Sequence, residues 1–115
     1  MTLTESELLS KVPTQLYIDG KWRAGSGAGT IAVEDPATNQ TLVEIENANA
    51  DDGLAALKAA ADAQESWAKT SPRSRAELLR RTFELVNERH EEFAMLISME
   101  MGKPLAEARG EVAYG

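Results

Sequence analysis

The stretch Leu42-Val43-Glu44-Ile45-Glu46-Asn47-Ala48-Asn49-Ala50-Asp51-Asp52 contains the change that decides the fold. Up to Glu46 the apolar pattern is that of a strand. Beyond Asn47 it takes the 3.6-residue period of a helix. From Gln15 to Glu46 the chain reads as strand and turn. Leu16-Tyr17-Ile18 and Trp22-Arg23 flank Asp19-Gly20, and Asp-Gly is a strong hairpin signal because both residues tolerate positive φ. Lys21 falls in that turn or just after it. Gly25-Ser26-Gly27-Ala28-Gly29 reads as a flexible loop, and Thr30–Glu34 alternates with Ile31 and Val33 on one face. Pro36 breaks the run, since it pre-sets φ and disfavours helix at Asp35. The expectation for 15–46 is a small antiparallel β-meander.

Downstream, Asn49 is a candidate N-cap with Asp51 and Asp52 in the first turn, where the helix end favours negative charge. The Ala-rich run to Lys69 follows, with Leu54, Leu57 and Ala61 on one face. Ser71 caps a second helix and Pro72 takes its first position. Leu79, Phe83 and Val86 form its apolar stripe, widened by Leu78 and Leu85. The chain is expected to turn between His90 and Glu92. A third helix is expected to carry Phe93, Leu96, Ile97 and Met101 inward and to end at Gly102. Pro104 opens a fourth, which runs to Tyr114-Gly115 with no closing element. These apolar faces ask for more partners than the chain contains, so it is expected to be part of a larger domain. Residues 1–14 read as a polar leader in which Leu3, Leu8, Leu9 and Val12 can form a short helix stopped by Pro13.

Twelve Lys plus Arg against nineteen Asp plus Glu give a net charge of −7 over 115 residues. Such a surface gains nothing from a polyanion, because counterion release needs clustered cations. No nucleic-acid partner is expected. There is no cysteine and one histidine, which leaves this stretch without thiol chemistry or a multi-imidazole site. No apolar run reaches the roughly 18 residues of a membrane span, and the start lacks the pattern of a secretory signal. A cytoplasmic location without membrane contact is expected.

The local candidates for chemistry are weak. Gly25–Thr30 lacks the third glycine of a dinucleotide fingerprint and leads into a strand, so it is read as a loop and not a phosphate cradle. Gly102-Lys103-Pro104 is a helix corner: Ile97 stands where Walker A needs glycine, and Pro104 where it needs Ser or Thr. His90 is read as a surface residue. Glu91-Glu92 and Asp51-Asp52 are read as solvated, because adjacent helical residues point about 100° apart. Arg73, Arg75, Arg80 and Arg81 form a basic cluster expected to pair with carboxylates, and Trp67 is read as core packing.

The order of features resembles the aldehyde dehydrogenase superfamily. Leu16-Tyr17-Ile18-Asp19-Gly20-Lys21-Trp22 looks like its opening Y-I-x-G-x-W hairpin, and Val33–Thr38 like its N-P-A-T-G turn, with Asp35 for the usual Asn. Trp67 and Arg75-Ala76-Glu77-Leu78-Leu79-Arg80 match its helix junction. Glu100–Tyr114 is similar to the E-x-G-K-P-L-x-E-A-x-x-E-x-x-Y segment most often met in succinate-semialdehyde dehydrogenases. The likeness runs over about residues 15–115.

The resemblance implies an α/β parent fold with a Rossmann-type cofactor domain, of which 15–115 is the incomplete N-terminal part. It implies NAD- or NADP-dependent oxidation of an aldehyde, with succinate semialdehyde the expected substrate and a homo-oligomer the expected parent. In the family a cysteine thiolate attacks the carbonyl and a glutamate activates water. Neither position lies in this chain, so it is expected to carry no catalytic or cofactor-binding residue and to be inactive alone, with the rest of the polypeptide as its partner. The resemblance also implies a structural monovalent cation held by the backbone carbonyls of Val33 and Glu34 and by Glu100, oxygen ligands suited to a hard ion. The bland reading of Glu100 is local capping or pairing. A free-standing α+β interaction module is the alternative for the whole chain.

Overall fold

Asp19 and Gly20 both take positive φ, 54° and 73°, and close a two-residue turn between β1 (Leu16–Ile18) and β2 (Lys21–Arg23). Two positive φ values give the turn the twist that paired strands need. Lys21 therefore opens β2, opposite Ile18. The computed structural model describes residues 3–27 and 29–115. Met1 and Thr2 of the leader, and Ala28 of the glycine stretch, lie outside the described residues.

A second hairpin joins β3 (Thr30–Asp35) to β4 (Gln40–Glu46). Asp35 Oδ1 accepts from the Ala37 amide at 2.8 Å, and the Asn39 amide donates to Asp35 O at 2.8 Å. The side chain thus folds the turn locally. Val33 faces Val43 but Glu34 faces Thr41, which leaves Leu42 as a bulge. The expected antiparallel strands are all present, but they stand as two separate two-stranded sheets and not as one continuous meander. The glycine stretch separates them physically: the Ser26 amide is drawn 3.0 Å from Asp52 and away from any strand partner.

Five helices complete the chain: α1 (Glu5–Leu9), α2 (Ala50–Lys69), α3 (Pro72–Glu88), α4 (His90–Met101) and α5 (Leu105–Tyr114). Capping fixes where they begin. Thr4 and Glu7 make reciprocal bonds at α1, Asn49 and Asp52 do the same at α2, and Ser71 accepts from the Ser74 amide at α3. The break between α3 and α4 falls at Arg89, just ahead of the expected turn at His90–Glu92, because Arg89 leaves helical geometry at φ −109° and ψ 17°. Gly102 ends α4 with φ 74°, the left-handed conformation that favours glycine.

The core is small. Among the described residues only Leu8, Ala94, Met99 and Ala108 are buried apolar side chains. Ala94 and Ala108 let α4 and α5 approach closely, and α4 also packs on β3. The leader helix docks through Leu8, which is 3% exposed. No residue of α3 is buried. No helix among the described residues is long and apolar enough to cross a membrane.

Candidate functional site

Asp52 is the one charged side chain that is buried among the described residues. Its Oδ1 accepts from Arg23 Nη2 at 2.7 Å and from Ser26 Oγ at 2.6 Å. Its Oδ2 accepts from the amides of Ser26 and Asn49, each at 3.0 Å. The Ser26 hydroxyl, then the Ser26 and Asn49 amides, and finally Arg23 hold this carboxyl well below the usual carboxylate range, against the opposing effect of burial. The reading of Asp51-Asp52 as a solvated pair is thereby corrected. Asp51 is exposed, but Asp52 turns inward. The available signal was Asn49 three residues ahead of an acidic residue, the spacing of a capping box.

The same geometry engages the glycine stretch, expected to be a loop, with Asp52. An amide that would meet a phosphate is already donated to Asp52, and a second anion beside that carboxylate would be repelled. The stretch is also less free than its composition suggests, since the Gly25 amide donates to Glu46 Oε2 at 2.9 Å.

Val33 and Glu100 come together. Both line a cavity of about 190 Å³ walled by Leu9, Val12, Leu42 and Leu96. Glu34 is exposed on the neighbouring position of β3, beside the bulge. No cluster of three or more His, Cys, Asp or Glu side chains suited to a metal occurs among the described residues.

The remaining candidates are structural. His90 Nε2 lies 3.2 Å from Arg109 O, which ties the start of α4 to α5. Glu91 accepts from Arg109 Nε and Nη2, both at 2.9 Å. That bidentate pair lowers the Glu91 carboxyl from its ordinary value. Arg80 pairs with Glu77 and Glu84, and Arg81 with Glu84 and Glu88, which meets the expectation for half of the basic cluster; Arg73 and Arg75 make no ion pair among the described residues. At the Gly102-Lys103-Pro104 corner, Ser98 Oγ donates to Lys103 O at 2.8 Å and Lys103 pairs with Glu111. Trp67 departs from expectation. It is 47% exposed beside Leu57, because that face of α2 has no packed element over it. Leu79, Phe83 and Leu78 of α3 are likewise exposed, and so are Phe93 and Met101 of α4, which were expected to face inward.

Residues 22–115 match the model of the aldehyde dehydrogenase family. The chain belongs to the aldehyde dehydrogenase family. A succinate-semialdehyde dehydrogenase of Paenarthrobacter nicotinovorans is 62% identical over 74 residues, 64% of this chain and 16% of that protein. The NADP(+) succinate-semialdehyde dehydrogenase of Escherichia coli is 36% identical over 99% of this chain and 23% of its own length. The betaine aldehyde dehydrogenase of Staphylococcus aureus, solved with NAD+, superposes with a TM-score of 0.91 at 25% identity, over 95% of this chain and 22% of that one. The chain thus spans about a fifth of the length of these aldehyde dehydrogenases. Nicotinamide cofactors occur in the family, NADP(+) in one relative's name and NAD+ in the other's structure.

Proposed function

We propose that this chain is the N-terminal portion of an NAD(P)-dependent aldehyde dehydrogenase that oxidises succinate semialdehyde to the dicarboxylic acid. The observation that carries the reading is the 62% identity to a succinate-semialdehyde dehydrogenase. The chain contributes the front of the cofactor-binding domain, over 15–115, behind a leader at 1–14. Its exposed apolar helix faces support that role, since they suit burial under a sheet supplied by the rest of the polypeptide. The nicotinamide, when bound, takes up the hydride. The nucleophilic thiolate must come from elsewhere, because these 115 residues contain no cysteine. The same reading makes the parent a cytoplasmic homo-oligomer.

The test is an assay of the polypeptide that carries this chain, with succinate semialdehyde and either NAD or NADP. Cofactor reduction is expected with succinate semialdehyde, and none from the isolated 115 residues. Turnover by the isolated chain would overturn the assignment of catalysis to other residues. Preference for a different aldehyde would overturn the substrate.

A hard monovalent cation at the carbonyls of Val33 and Glu34 and the Glu100 carboxylate belongs to the same proposal. One observation supports it: Val33 and Glu100 share a cavity, and carbonyl and carboxylate oxygens suit a hard ion. Potassium or sodium is then expected to raise the unfolding midpoint of the parent protein relative to a bulky organic cation. Glu100→Gln should abolish that rise; an unchanged response removes Glu100 from the site.

A further inference from the structure

The hairpin β1–β2 has no buried apolar side chain of its own, and neither has α2. A two-stranded hairpin is marginal in water without a packed face. What joins these elements is the polar node around Asp52. Its carboxylate gathers Arg23 at the end of β2, Ser26 in the glycine loop and Asn49 at the helix start, reaching 29 and 26 residues back along the chain. Asn49 closes the arrangement: its Oδ1 accepts from the Asp52 amide at 3.0 Å and its Nδ2 donates to Ser26 O at 3.1 Å. Arg23 holds on by Nη2, while its buried Nε has no acceptor, so Arg23 is the less fully satisfied partner. The buried apolar residues lie in α1, α4 and α5, outside this region.

We infer that Asp52 is a clasp: it fastens the hairpin and the glycine loop to the start of α2, and these segments come loose together when it is lost. A neutral group at this position leaves the Arg23, Ser26 and Asn49 donors without their carboxylate, and segments held by a few polar contacts open locally before the rest of the molecule. A tether to β4 remains, from the Gly25 amide to Glu46 Oε2, so β1 to Ser26 and the first turn of α2 loosen about it without detaching, while β3, β4, α4 and α5 keep their packing.

Hydrogen exchange read by mass spectrometry on the intact protein tests this with Asp52→Asn. Exchange in 16–26 and 49–53 is expected to quicken about tenfold or more, with 90–114 unchanged. Ser26→Ala, which removes one of the donors and leaves the carboxylate, should give the same pattern at smaller size and serves if Asp52→Asn does not fold. Arg23→Gln should loosen the same peptides. Unchanged protection in 16–23 with Asp52→Asn would overturn the clasp, leaving only a helix cap. Equal acceleration throughout 90–114 would overturn it too, because Asp52 would then support the whole molecule.

Discussion

Gly102 sits at φ 74°, and a Cβ built on it would stand 3.1 Å from Pro36 Cγ. Two costs meet there, a left-handed backbone for an L side chain and a tight approach to the β3–β4 turn. Gly102→Ala is expected to lower stability by about 1–2 kcal/mol, measured by denaturant unfolding of the parent protein; an unchanged midpoint would mean the corner relaxes freely. This residue was legible in the sequence, because a glycine after an apolar helical run is the usual helix stop. Asp52 was not. Its neighbour Asp51 is exposed as expected, and the groups that bury Asp52 lie at Arg23 and Ser26, which no local pattern connects to it. Side chains satisfied within a few residues could be read, whereas those satisfied across the fold could not.

Elements with a local cause were legible in the same way. The Asp19-Gly20 hairpin, the Ser71-Pro72 start of α3 and the Gly102-Pro104 corner all stand where residue chemistry put them. The division of the strands into two sheets was not legible, since it depends on the loop being drawn toward α2. Nor was Val33 beside Glu100 derivable from periodicity; the resemblance alone paired them. Helix α3 has no buried residue and is lined by Arg80 and Arg81 with their carboxylates, so it is held largely by its own turns. The α4–α5 pair is the opposite case. Ala94 and Ala108 are both fully buried, leaving no room for a longer side chain. Ala108→Leu is expected to cost about 1–3 kcal/mol by overpacking, read as a lower unfolding midpoint of the parent protein. A neutral result would show slack between the two helices.

At the scale of the molecule, the radius of gyration is 17.0 Å, against about 13 Å for a compact domain of 100 residues. Extended shape and exposed apolar helices have one origin: the chain has few elements to lay against α2 and α3. Leu79 and Phe83 are 71% and 67% exposed, on the stripe whose spacing had marked it for burial. The isolated chain should therefore bind an apolar fluorescent dye and unfold over a broad range. A dye-silent chain with one sharp transition would instead favour a self-sufficient module. The second hairpin has a consequence of its own. Each ribbon is two-stranded, so its strands have edges outside the ladder, and the Glu46 amide at one such edge donates to Thr14 O. Glu34, Asp35, Glu44 and Glu46 stand along β3 and β4, so two copies meeting there would crowd like charges together. Like charge thus disfavours self-pairing of the ribbon.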